Sequence, residues 1–164
     1  MRYYIITIVL ILFMLIKSST FSKEKYYSTF YKSKEDLQKI IYKLGDLQLT
    51  EENFLTASKL FNIQYPHIVL KQALLESGHF RSKVFRKTNN MFGMKVPKRR
   101  ETFAITTKKT KSGYTYFTSW LHSLADYKLW QGNQIIITNY YDYLVKRNYA
   151  ECIIYKEKLT AIKI

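Results

Sequence analysis

The chain has 164 residues, enough for one compact domain with a real core and too few for two comfortable ones. Its 27 Lys and Arg against 12 Asp and Glu leave a net charge of +15, which favours polyanionic partners: nucleic acid, anionic lipid, or acidic wall polymers and peptides. The lone Cys152 excludes an intrachain disulfide and a cysteine-rich metal site. His67, His79 and His122 share no ligand spacing on one helix, so no metal and no cofactor is expected.

Residues Met1 to Ile16 carry one early Arg and then no charge from Tyr3 onward, bounded by Lys17, Ser18, Ser19 and Thr20. This reads as a secretory leader over 1–20, cleaved or kept as an anchor, with a buried or interfacial helix as the other reading. The apolar run is short for a membrane span, which needs roughly 20 residues. Lys17 spoils a small-residue cleavage site, and with no Cys after the run lipid attachment is excluded. Residues 21–49 read as a basic tether followed by a first helix, Asp36 to Leu44, whose Leu37, Ile40, Ile41 and Leu44 recur at helical spacing before Gly45. Thr50 with Glu51 and Glu52 forms a capped start for a second helix through Phe61.

The stretch Ile68 to Phe80 (IVLKQALLESGHF) is the centre of the pattern. Pro66 fits a first helical position and Gly78 the left-handed residue that closes a helix, which puts Glu76 in the last turn. Its helical neighbours Gln72, Ala73 and Val69 form a face poor in charge, while Leu70 and Leu74 are available for the core. Desolvation and the negative end of the helix dipole would both raise the Glu76 pKa, making it a candidate general acid. A Glu that simply points into water from a helix end is the competing reading.

Beyond it, His79 to Thr88 allows a short basic helix, and Asn89 to Lys95 (NNMFGMK) reads as a tight loop with Met91, Phe92 and Met94 folded beneath. Between Val96 and Thr118 the helical period disappears, and a KSG turn at Lys111 to Gly113 between Thr-rich and aromatic runs signals a β-hairpin. From His79 to Thr115 there are eleven Lys and Arg and one acid, Glu101. That charge is either a solvated face or a substrate-facing one. Thr118 and Ser119 can cap a helix through Trp130 that stops at Gly132. Asn139 to Lys146 and Glu151 to Ile162 complete the pattern, with Leu144, Val145, Ile153, Ile154, Leu159 and Ile162 apolar. The layout is α+β: a mainly helical lobe, a small β-hairpin lobe and a cleft between them. The 15 Tyr and 10 Phe suit a groove that stacks on sugar rings or bases, although a Tyr-rich core has the same composition.

Read in order, ALLESGHF, NNMFGMK, YFTSWLHSLADY and NYAECIIYKEKL resemble the glucosaminidase domain of glycoside hydrolase family 73, over roughly Thr50 to Ile164. The resemblance implies a lysozyme-like fold, a catalytic domain over 50–164, and cleavage of the β-1,4 bond between N-acetylglucosamine and N-acetylmuramic acid in peptidoglycan. It places the catalytic Glu at Glu76, followed by Ser77, Gly78 and the aromatic Phe80. It also matches the loop motif to Asn89 to Lys95, with Met91 where Leu is usual, and later motifs to Ser119, Trp120, Asp126, Tyr127, Tyr149, Ala150, Tyr155, Lys158 and Leu159. Where the family commonly has Asp-Pro after Tyr-Ala-x, this chain has Cys152 and Ile153, so the loop carrying Tyr149 is expected to differ in shape.

Within this reading Glu101, flanked by Lys98, Arg99 and Arg100, is the second carboxylate that could face Glu76 and stay ionised; a surface Glu paired to those Arg is the alternative. Without it, the substrate's own 2-acetamido group serves, with Tyr149 positioning that group or the water. The substrate-facing candidates are Phe80, Asn90, Phe92, Tyr116, Trp120 and Tyr155; Trp120 and Tyr127 also read as core, and Asp126 either anchors a helix or lines the cleft. The expected partner is the peptidoglycan glycan strand, met by an exported, monomeric protein whose membrane contact is confined to the N-terminal segment. No nucleic-acid partner is expected. A lytic transglycosylase also uses a lone Glu, but the NNMFGMK loop argues against it. A nonenzymatic basic domain that binds wall polymer or nucleic acid explains the charge, though not an exported leader beside an acid at a charge-poor helix end.

Overall fold

The computed structural model describes residues 32–133, 139–147, 149 and 154–164; the expected leader and most of the tether, as well as Ile153, lie outside them. The described residues from Ser33 onward form one compact unit. Its elements, in chain order, are α1 (Lys34–Leu44), α2 (Glu51–Leu60), α3 (Pro66–Ser77), α4 (Lys83–Thr88), β1 (Ile105–Lys109), β2 (Thr115–Tyr116), α5 (Trp120–Gln131), α6 (Tyr140–Lys146) and α7 (Ile154–Ala161). Helices with one small antiparallel pair of strands are the α+β layout expected from the sequence.

Local chemistry sets most of these boundaries. Ser33 and Asp36 form a reciprocal capping box that starts α1 two residues before the expected Asp36, and Gly45 ends it. Thr50 Oγ1 accepts from the Asn53 N–H to start α2, and Pro66 occupies the first turn of α3. Ser119 stands at the start of α5 as expected, but its hydroxyl pairs with His122 Nδ1 at 2.8 Å and makes no cap hydrogen bond. The hairpin forms with Ile105 opposite Tyr116 and Lys109 opposite Thr115, so the intervening β1 residues bulge out. Gly113, at φ 82°, makes its turn.

Helix α3 buries Val69, Leu70, Gln72, Ala73, Leu74 and Ser77 and packs against α2 and α7. Phe54 and Ala57 of α2, Leu121, Leu124 and Tyr127 of α5, and Leu159 of α7 complete the core. Helix α1 was expected to go with the tether. It belongs to the compact unit instead, because Leu37 and Ile41 are buried and the helix packs against α5. Two expected apolar positions face out: Val145 is 61% exposed and Ile154 51%. In such short helices one apolar stripe is enough, and Leu144 and Leu159 fill it. Among the described residues no helix is long and apolar enough to cross a membrane.

Candidate active site

The end of α3 places the central carboxylate. Gly78 adopts φ 59°, and His79 and Phe80 follow it into the left-handed region at φ 54° and 62°, a conformation that costs a non-glycine residue roughly 1–2 kcal/mol. Hydrogen bonds compensate: the His79 N–H reaches Leu74 O at 2.7 Å, and buried Ser77 Oγ accepts from the Phe80 N–H at 2.9 Å. The chain therefore turns away directly after Glu76. Phe80 goes with it and packs on Phe85, ring centroids 5.8 Å apart, rather than facing a ligand.

Glu76 keeps solvent-accessible surface but stands in a groove of about 380 Å³ whose walls crowd it. That crowding strips water from the carboxylate and raises its pKa, only partly opposed by the hydrogen bond from Tyr155 and the charge of Lys158. The desolvation expected from the sequence is present. Tyr155 on α7 donates its hydroxyl to Glu76 Oε1 at 3.1 Å, and a Cβ on Gly93 would stand 3.9 Å from Oε2. One oxygen thus meets α7 and the other meets the loop across the groove.

That loop is the NNMFGMK stretch, and its two Asn are clamps. Asn89 Nδ2 donates to the carbonyls of Phe117 and Thr118. Asn90, expected at the substrate, is buried: its Nδ2 donates to Met94 O and Thr115 O and its Oδ1 accepts from the Met94 N–H, so its amide is spent on closing the loop. Phe92 lies against Tyr127, centroids 4.3 Å apart, and with Gly93 and Lys95 forms one wall. Trp130, Arg147 and Tyr149 contribute another wall. Arg147 is held there by a 2.6 Å bond to Trp130 O and by lying over the Trp130 ring at 5.2 Å. The Tyr149 hydroxyl donates to Phe92 O at 3.2 Å, joining the two walls, and burial pushes its pKa well up, so it stays neutral.

The hairpin lobe reaches the groove through Tyr114 and Arg100. Asp126, left open between anchor and cleft, is the anchor. Fully buried on α5, it takes both guanidinium nitrogens of Arg100 at 2.7 and 3.1 Å, the Thr102 hydroxyl at 2.6 Å and the Phe103 N–H at 2.8 Å. Arg100 also donates to the main-chain oxygen of Glu101. Glu101 itself is exposed and absent from the groove lining, where its neighbour Arg100 takes the place expected for it. Among the described residues Glu76 is the one carboxylate that lines the groove.

The structure thus gathers Glu76, Phe92, Tyr149 and Tyr155 and leaves the other candidates apart. Tyr116, half-buried on β2, is outside the lining. Trp120 is a core residue: it is 8% exposed, its indole N–H donates to Leu47 O at 2.8 Å, and it stacks with Phe54. Arg100, Tyr114, Trp130 and Arg147 escaped sequence reasoning because Trp130 looks like the end of an apolar stripe and the Arg like ordinary surface charge.

An accessible, desolvated carboxylic acid in a groove walled by aromatic rings and cations has the makings of a glycoside hydrolase site. The chain belongs to the glucosaminidase family, described as mannosyl-glycoprotein endo-beta-N-acetylglucosaminidase, whose pattern matches residues 51–163. It is a glycoside hydrolase, and peptidoglycan hydrolysis, work done at the cell envelope, is the activity that this membership carries. The crystal structure of the catalytic domain of the autolysin Auto from Listeria monocytogenes is similar at 18% identity and a TM-score of 0.43, covering 85% of this chain and 89% of that one. No curated protein matches the sequence.

Proposed function

We propose that the domain cleaves the β-1,4 bond between N-acetylglucosamine and N-acetylmuramic acid, with Glu76 as the general acid that protonates the leaving oxygen. The observation that carries this is the single carboxylate in the groove, desolvated enough to raise its pKa yet open to a ligand. With Glu101 outside the lining, the second role falls to the substrate. The 2-acetamido oxygen attacks the anomeric carbon as the bond to the leaving oxygen breaks and Glu76 gives up its proton; the Glu76 carboxylate then takes a proton from the water that opens the cyclic intermediate. Tyr149, neutral and fixed against Phe92, lines the groove where it can orient the acetamido group. Trp130 offers ring surface to the sugars, and Phe92, packed on Tyr127, backs the opposite wall. Residues 1–20 export the protein, either cleaved or retained as an anchor, and the glycan strand is met by a monomer.

The test is digestion of purified peptidoglycan by the protein beside its Glu76→Gln variant. Gln keeps the size and accepts from Tyr155 but has no acidic proton, so turnover should fall by about 10²-fold or more while binding survives. Fragments should end in reducing N-acetylglucosamine. Anhydromuramic ends would mean transglycosylase chemistry, and unchanged cleavage would remove Glu76 from the mechanism. Glu101→Gln should cleave like wild type; a large loss there would return the second role to Glu101.

A further inference from the structure

We propose that Gln72 is a positioning residue that decides which oxygen of Glu76 carries the catalytic proton. This rests on Glu76 being the acid, as proposed above. The orientation originates at the main chain of Gln64, which is not part of the groove lining. The Gln64 N–H donates to Gln131 Oε1 at 2.9 Å and Gln131 Nε2 donates to Gln64 O at 2.9 Å; a flipped Gln131 amide would set donor against donor and acceptor against acceptor. Nε2 spends its other hydrogen on the Tyr140 hydroxyl at 3.0 Å. Tyr140 therefore accepts on that side, and its own hydrogen is free for Tyr127 at 2.6 Å. Tyr127 in turn donates to Gln72 Oε1 at 2.7 Å. The opposite sense would leave Tyr140 facing two donors with nowhere to send its own hydrogen, in a site only 1% exposed.

With Gln72 Oε1 facing Tyr127, its Nε2 faces Tyr155 and donates to that hydroxyl at 3.4 Å. Only then is the Tyr155 hydrogen committed to Glu76 Oε1. An oxygen that accepts this bond is the carbonyl oxygen of the neutral acid, so the proton resides on Oε2. Oε2 is the oxygen that faces Gly93 across the groove. The relay is built from uncharged groups, and Gln72 and Tyr127 are fully buried, so it holds one direction without competition from water.

The experiment is a double-mutant cycle in kcat on purified peptidoglycan, using Gln72→Met and Tyr155→Phe with the full chain. Gln72→Met keeps the side-chain length but neither accepts from Tyr127 nor donates to Tyr155; the Tyr155 hydroxyl is released from its fixed sense and can accept the Glu76 proton on Oε1. We expect kcat to fall by about 10-fold with KM within about threefold. In the Tyr155→Phe background the same substitution should cost less than about threefold, because the link it acts through is gone. Equal losses in the two backgrounds, or wild-type kcat in Gln72→Met, would overturn the proposal. If Gln72→Met loses its cooperative melt, Gln72→Leu is carried through the same cycle with the same non-additivity expected. Glu76→Gln run alongside separates the two readings: activity there fails the acid assignment, whereas an inactive Glu76→Gln with an additive cycle fails the relay alone.

Discussion

At the scale of single residues, Glu76 carries a conflict between stability and chemistry. Burial raises its pKa, so between the unfolded and folded pKa values the native state binds more protons than the unfolded chain, and stability falls as pH rises through that window. Above it the charged side chain is a fixed cost. Glu76→Gln removes that cost, so the variant should melt at a higher temperature than wild type at pH 7. The gap should close below pH about 4, where the wild-type carboxyl is protonated in both states. Calorimetry across that range checks it, and a wild type that melts higher at pH 7 would mean the carboxylate is not desolvated. This residue was the most legible in the sequence, because its helical neighbours Val69, Gln72 and Ala73 carry no charge and Pro66 and Gly78 bracket its helix. Gln72 and Asp126 were not legible in the same way. Both lie among core positions, and their roles depend on partners far along the chain, Tyr127 and Tyr155 for one and Arg100 for the other.

At the scale of elements, one buried anion ties the start of the hairpin lobe to α5, as Asn90 ties β2 to the loop. The strands share only a short, bulged ladder, and β1 is almost entirely exposed beyond Ile105, so pairing alone gives the lobe little hold. Asp126 adds to it on the β1 side, gathering donors from Arg100, Thr102 and Phe103 onto α5. Asp126→Asn would face Arg100 with an amide that donates to a donor, leaving the guanidinium half-buried and uncompensated. Breaking such a pair costs about 3–5 kcal/mol, which urea unfolding should register, and turnover should fall as Arg100 leaves the groove wall. A change below about 1 kcal/mol would mean that the lobe is held by something else. The hairpin and the helices were readable from caps, turn residues and period. Which elements meet at the groove was not, since α3 is apolar on nearly every side and its pattern points to no single neighbour.

At the scale of the whole molecule, a charge of +15 would draw the domain of the proposed function to the carboxylates of peptidoglycan's peptides. Lys95, Arg100 and Arg147 bring that charge to the groove itself. Raising salt from 0.1 to 1 M shortens the screening length from about 10 to 3 Å, so KM on whole walls should rise several-fold while kcat holds. A flat salt profile would assign the charge to solubility alone. The groove is also assembled from distant parts of the chain: Glu76 receives its hydroxyl from Tyr155, separated from it by 79 positions, on the last helix of the unit. A chain interrupted between the 89–95 loop and that helix therefore holds its acid and its loop but lacks the donor that orients the proton. Competence requires α7 to be docked on α3, so a molecule in which that one contact has opened keeps its groove walls and loses its cutting power.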